Sequence, residues 1–261
     1  NSVKLLNEIQ FDKLENDEKF YPDKINFYSV DTSNKICELD ISNFNSKNCR
    51  YTTLKRSSLI KFLKKDLEEE IKMDHNISKI EHKDQTIKIT FENNEIYECD
   101  YLIISDGVFS KSKNLISKNQ SQPRYNNTLA IRGIIPSSSS IVDKKNISLF
   151  LGSDFHYVVY PVSPNGEFNF IAIMKYKLSV NDQKDHSLFT NDNFIKKILE
   201  KVPSANIELF KNIEKLKIYP VFVSHDFFKV KNNNIHLIGD AFFSFPPSFA
   251  QGASQSIEGA H

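Results

Sequence analysis

Glycine is scarce in this chain: seven residues in 261, and none before Gly107. A GxGxxG turn needs glycine for its tight bend and for close backbone approach to a pyrophosphate, so that motif is missing here. Tryptophan is absent, and the three cysteines, Cys37, Cys49 and Cys99, have no metal-ligand spacing and leave one thiol over. That pattern argues against a disulfide framework and a metal site, and predicts a reducing, cytoplasmic setting. No apolar run approaches the ~20 residues of a membrane-spanning helix; Tyr157 to Val162 is among the longest. The first residues also lack the basic start and apolar core of a signal peptide. Neither sign of charge dominates, with Lys+Arg 34 against Asp+Glu 33 and a net charge of +1. A nucleic-acid partner is therefore not expected, since its footprint requires clustered basic residues.

The most informative stretch is Asn234 to His261, NIHLIGDAFFSFPPSFAQGASQSIEGAH. Ile235 to Ile238 reads as a buried strand, Gly239-Asp240 as a turn, and Pro246-Pro247 as an irregular loop. A helix is expected to open near Ser248 to Gln251. This order suits a nucleotide or flavin. Asp240 can accept hydrogen bonds from sugar hydroxyls, and the helix N-terminus favours an anionic group. Gly252 lets the backbone approach a flat ligand with no Cβ in the way. Taken alone, the stretch is also compatible with an ordinary strand, hydrophobic loop and helix.

Gly239-Asp240-Ala241, Pro247, Ala250-Gln251-Gly252-Ala253 and Ile257-Glu258 resemble the second flavin-binding motif of the FAD-dependent aromatic-ring monooxygenases, GDAAHPxxPxxAQGAxxAIEDA. The AQGA spelling resembles the salicylate-hydroxylase-like branch, which has the para-hydroxybenzoate-hydroxylase fold. Phe242-Phe243 replaces the family's Ala-His and alters the polarity of the loop. Asp106-Gly107, with Ser110 and Lys113 after it, closes a buried run, Tyr101 to Ile104, and resembles the family motif DGxxSxxR. Lys113 keeps the charge of the terminal Arg but loses its planar fork. Tyr51 to Leu63 is similar to the family's hxRxxLxxxL segment. That match implies an Arg56 contact with the flavin ribityl or pyrophosphate, where position alone would suggest a solvated arginine.

In chain order, Ser2 to Ile9 is predicted as a short amphipathic helix, and Asn26 to Ile41 as a hairpin with a polar turn. A helix after Arg56 is predicted to carry Ser57 or Ser58 as N-cap and one apolar stripe of Leu59, Leu63, Leu67 and Ile71. Ile77 to Ser105 reads as strands with a turn at Asn93-Asn94. Leu129 to Ile135, Ser148 to Leu151, His156 to Val162 and Phe168 to Met174 follow as short strands with turns at Ser137 to Ser140 and at Pro164-Asn165-Gly166. With no long helices between them they predict an antiparallel sheet, covered by helices over Asn191 to Val202 and Ala205 to Ile213. His156 and Tyr160 are four apart in a strand and so share a face. They are candidates to bind and deprotonate a phenol, or else a packed pair within the sheet.

The expected fold class is α/β (α+β overall), a truncated Rossmann-like FAD-binding domain interleaved with an antiparallel-sheet substrate domain. Residues 1–125 and 223–261 are assigned to the first, with the hairpin at 26–41 joining the substrate sheet, and 126–222 to the second. The opening Asn1 to Leu6 is similar to a family helix that follows the first βαβ unit. With the missing GxGxxG, this predicts an internal fragment of a longer flavoprotein; a complete chain without the motif is the rival. The resemblance implies an NAD(P)H-dependent enzyme that hydroxylates a phenolic or heteroaromatic acid with O2 through a flavin C4a-hydroperoxide. FAD would be held by Arg56, Asp106, Gly107, Gly239, Asp240, Pro247, Gly252 and Ala253. Pro247 and Phe249 would help to exclude water. A homodimer is compatible with this reading. Alternatives are a ubiquinone-pathway ring hydroxylase, an FAD-dependent reductase of the prenyl-reductase type, and a flavin-free binding remnant.

Overall fold

The computed structural model describes all residues except 46–48, 84, 118–121, 136–142, 227 and 229. The expected turn at Ser137 to Ser140 and the side chain of Phe249 lie outside the described residues. Two units divide the chain. One is built mainly from Val3–Lys64 and Asn127–Val221, the other from Lys65–Asn126 and Phe222–His261.

Alternating apolar residues shape the first unit. In the strand Phe155–Pro161, Phe155, Tyr157, Val159 and Pro161 are buried, while His156, Val158 and Tyr160 are half-buried. That two-residue period marks one face packed on a core and one partly open. The strand sits in a seven-stranded sheet of order Glu214–Val223, Arg124–Ile135, Phe168–Lys175, Phe155–Pro161, Ile147–Leu151, Lys24–Ser29, Lys35–Asp40. The hairpin thus joins this sheet. Lys24–Ser29 pairs parallel to Ile147–Leu151, so the sheet is mixed where an antiparallel one was expected. The two strands lie more than a hundred residues apart in sequence, and no tight turn between them imposes an antiparallel pairing.

The helix Asp192–Leu199 is capped by Asn191, whose Oδ1 accepts from the N–H groups of Asn193 (3.0 Å) and Phe194 (3.1 Å). It buries Phe194 and Ile198. The second covering helix is only Ile207–Lys211, after a 3-10 turn at Ser204–Asn206. Phe210 from this helix meets Phe170 of the sheet edge-to-face at 4.9 Å. A fully buried ring of this kind contributes about 3 kcal/mol.

Two expectations around Arg56 need correction. The helix runs Arg56–Lys64, and the Leu59 N–H bonds the Lys55 carbonyl at 3.2 Å, so Ser57 and Ser58 lie inside the first turn. Leu67 and Ile71 fall beyond the helix, and Leu63, Leu67 and Ile71 are all exposed. The acidic run Glu68-Glu69-Glu70 would oppose the negative end of a longer helix.

In the second unit, Ile77–Lys83, Thr86–Phe91 and Ile96–Cys99 form an antiparallel sheet. Asn94 turns the chain with a left-handed φ of 68°, and Asn93 Oδ1 accepts from the Glu95 N–H. Leu102–Ile104 and Ile235–Leu237 pair in parallel. Ile87, Ile89, Ile104, Ile235 and Ala241 make the core. The helix Gly252–Ala260 starts later than expected, because a 3-10 turn at Pro247–Phe249 and a left-handed Ala250 (φ 51°) precede it.

Candidate functional site

The parallel pair organises the second unit's site. Ile104 is in register with Leu237, and the Ile238 N–H bonds the Ile104 carbonyl at 3.0 Å. Asp106 and Asp240 therefore leave the carboxyl ends of two adjacent strands on the same edge. In open parallel sheets that edge is where ligands bind. Gly239 and Gly107 both hold left-handed φ, 56° and 86°, which turns the chain sharply after each strand. A Cβ on Gly239 would come within 3.0 Å of the Ser256 hydroxyl, so the short turn Gly239–Phe242 lies close against the helix Gly252–Ala260.

A cavity of about 390 Å³ opens between that turn and that helix. Gly239, Asp240 and Gly252 line it; Asp106, Gly107, Pro247 and Ala253 do not. Phe242, Phe243 and Phe245 supply an apolar wall, with the last two rings 4.8 Å apart. The Phe242-Phe243 replacement thus makes this lip more apolar than the family's Ala-His. No side chain caps the helix at Gly252, and a Cβ added there would meet nothing within 4 Å. Its first N–H groups remain available to an anion. An exposed carboxylate, a left-handed glycine, an uncapped helix start and an apolar wall fit a flavin nucleotide.

Asp106 also has a structural task. Its Oδ2 accepts the Ser112 N–H at 3.0 Å, and the Ser110 hydroxyl accepts the Lys113 N–H at 3.1 Å, so both cap the helix Lys111–Ile116. Burial pushes the Asp106 carboxyl up, but hydrogen bonds from Ser110 and Ser112 prevail and hold it below its ordinary value. Lys113 is buried, its Nζ 5.9 Å from the Phe228 ring centroid. Desolvation lowers its pKa, with the Asp106 charge acting against that.

In the first unit, Arg56 opens its helix exposed, and among the described residues it makes no ion pair. His156 and Tyr160 share the open face of the sheet, as their spacing required. Four strand residues span about 13 Å, so the two do not address one phenol oxygen. Tyr160 has the richer surroundings. Burial and nearby Tyr51 push its pKa up, whereas the Arg132 charge and a hydrogen bond with Asn169 pull it down. Cross-strand register sets Asn169 opposite Tyr160, and puts Arg132 on the same face, opposite Ile171. His156 is held below its ordinary pKa by burial and is a neutral imidazole near pH 7. Arg132 and Asn169 escape sequence reasoning because strand register is not written locally. The one available signal is an arginine inside the apolar run Leu129 to Ile135.

Among the described residues no group of His, Cys, Asp and Glu is placed to hold a metal, and no helix is long and apolar enough to cross a membrane. Comparison with known proteins matches residues 19–261 to a family described as FAD binding domain. A salicylate hydroxylase of Pseudomonas putida is 23% identical over 217 residues, covering 70% of this chain and 46% of that protein. A chloroplastic zeaxanthin epoxidase of an Oncidium hybrid cultivar is 22% identical over 179 residues, covering 67% and 26%. The chain spans less than half the length of these relatives. Among solved structures, Klebsiella pneumoniae HpxO complexed with FAD and uric acid superposes with a TM-score of 0.84 at 14% identity, covering 98% of this chain and 66% of that one. A salicylate hydroxylase substrate complex gives 0.79 at 17% identity, covering 98% and 67%. These likenesses establish a shared fold.

Proposed function

The chain belongs to the FAD binding domain family, and we propose that it serves a flavin-dependent aromatic hydroxylase. The reaction would consume NAD(P)H, a proton and O2, place one oxygen atom on an electron-rich ring, and release NAD(P)+ and water. Bound FAD would supply the redox chemistry and the activation of oxygen. The protein's own residues would bind, orient and exclude water.

Asp240 would accept hydrogen bonds from a flavin hydroxyl. The N–H groups at Gly252 and Ala253 would face negative charge on the reduced ring. Asp106 would fix the turn at Gly107 while capping its helix, and Arg56 would pair with a phosphate or ribityl oxygen. Phe242, Phe243 and Phe245, with Pro247, would keep water from the cavity. Tyr160 would orient a phenolic oxygen, with Asn169 fixing the Tyr160 hydroxyl and the Arg132 charge favouring the phenolate. His156, some 13 Å along the strand, would touch a different part of the substrate.

The observation that carries this reading is the placement of Asp106 and Asp240 at one carboxyl edge beside the Gly239–Gly252 cavity. The test is the visible spectrum of the protein expressed from its complete gene, with flavin absorption expected at about 450 nm. Bleaching by NADH or NADPH, followed by O2 uptake stimulated by phenolic acids, is the expected sequence. A colourless protein that takes up no added FAD would overturn it. Flavin reduction with no product-coupled O2 uptake would point instead to a reductase.

A further inference from the structure

The alternation that turns His156 and Tyr160 to one face of the seven-stranded sheet turns Tyr157 to the other. Register sets Phe150 opposite Tyr157 and Tyr28 opposite Phe150, so three rings fall in one row on that second face. Tyr28 and Phe150 stack at 4.7 Å and 17°, and Phe150 and Tyr157 at 4.3 Å and 9°. Beside the row is a cavity of about 240 Å³, bordered by Ala205, Asn206, Glu208 and Leu209. It is smaller than the pockets that take drug-sized ligands and suits a single substituted ring.

Its polar lining has a definite sign. The Tyr157 hydroxyl donates to Asn206 Oδ1 at 2.6 Å, the Ser33 hydroxyl donates to the same oxygen at 3.5 Å, and the Asn206 amide donates to the Val30 carbonyl, so Asn206 is satisfied within the fold and holds the Tyr157 hydroxyl in place. Ser148, 5% exposed, lines the cavity, and among the described residues its hydroxyl has no hydrogen-bond partner. Two carboxylates, Asp143 and Glu208, border the space, and no Lys or Arg among the described residues lines it. Asp143 is already saturated by Asn26, Lys145 and Asn146 and contributes only charge. Glu208 spends Oε1 on Lys211 at 2.7 Å and keeps Oε2.

We propose that this cavity is a second ligand site, on the sheet face opposite His156 and Tyr160, for a monocyclic aromatic ring bearing an amino group. The ring packs against the Tyr28, Phe150 and Tyr157 row. The amino group reaches the Ser148 hydroxyl and the second oxygen of Glu208.

Saturation-transfer NMR on the full chain tests this, with benzylamine as probe and benzoate and toluene as comparators. Benzylamine is expected to bind about tenfold or more tightly than either, a difference of about 1.4 kcal/mol. Ser148→Leu should fill the cavity and abolish the signal. Glu208→Gln, an exposed change that leaves the fold alone, should weaken benzylamine about threefold or more. His156→Gln, on the opposite face, should leave it unchanged. Equal binding of benzoate or toluene, no benzylamine signal up to tens of millimolar, or loss of the signal in His156→Gln would each overturn the proposal. Should Ser148→Leu fail to fold, an unaltered affinity in Glu208→Gln overturns it as well.

Discussion

Asp106 and Asp240 follow two neighbouring parallel strands whose ends are in register at Ile104 and Leu237, yet the two carboxylates differ in their duties. Asp106 is tied to the Ser112 N–H, while Asp240 lines the cavity at the Gly252 helix. Replacement should separate these roles. Asp240→Ala is expected to weaken FAD about tenfold or more. Asp106→Ala should cost about 1 kcal/mol of stability through its lost cap, besides any effect on the flavin. Flavin titration and thermal melts of both variants check the split. An Asp240→Ala protein with unchanged FAD affinity would remove Asp240 from the site.

Much of this edge was legible because its motifs are local. Gly239-Asp240 and Asp106-Gly107 each announce a turn after an apolar run, and the Asn93-Asn94 turn needed only two residues. What eluded the sequence was set by distant pairings. The parallel union of Lys24–Ser29 with Ile147–Leu151 joins segments whose sequences say nothing of each other. The same holds for Arg132 and Asn169 beside Tyr160. The Ser57 or Ser58 cap failed for a smaller reason: the first turn is already formed from the Lys55 carbonyl.

Lys113 carries a charge in a buried position, and burial lowers its pKa from the ordinary 10.5. A depressed lysine costs stability fully at pH values below its folded pKa, and the cost fades as pH rises toward 10.5. Lys113→Met should therefore stabilise the protein at pH 7 by about 1 kcal/mol, or about 2–4 °C in melting temperature. The advantage should shrink as the pH rises through the lowered folded pKa toward 10.5. A destabilised variant would show that the Asp106 attraction outweighs desolvation.

Tyr160 sits among Asn169, Arg132 and Tyr51, whereas His156 is a half-buried imidazole about 13 Å along the strand. Tyr160→Phe should lower kcat/KM for a phenolic acid by about a hundredfold. Arg132→Met should raise the pH at which the remaining activity appears, since it removes a charge that favours phenolate. His156→Gln should act mainly on KM. Steady-state kinetics across pH 6 to 10 would decide this, and a Tyr160→Phe enzyme of full activity would remove Tyr160 from the site.

Gly152 is required by crowding. A Cβ there would lie 2.4 Å from Val30 Cγ1 and 2.7 Å from the Phe155 carbonyl oxygen. The valine can turn away, but the carbonyl belongs to the strand that carries His156 and Tyr160. Gly152→Ala should cost about 2 kcal/mol. Thermal or urea unfolding would measure it, and a change below about 0.5 kcal/mol would show that the strand relaxes freely.

Glu38 on the edge strand Lys35–Asp40 accepts hydrogen bonds from Lys24, at 2.7 Å, and from Lys35. Those bonds, with the charges of the two lysines, lower its carboxyl from an ordinary 4.5 to about 2. A depressed carboxylate stabilises the fold above its unfolded pKa, and the contribution is lost as pH falls from 4.5 toward 2. Solvent screens so exposed a pair, so the effect should be local to the hairpin rather than global. Carbon NMR of the Glu38 side chain should report a midpoint near 2, and amide protection in Lys24–Ser29, taken relative to the intrinsic exchange rate, should fall over the same interval. In Glu38→Gln the exchange should lose that pH step. A Glu38 midpoint near 4.5 would mean that the lysines do not hold the carboxylate in solution.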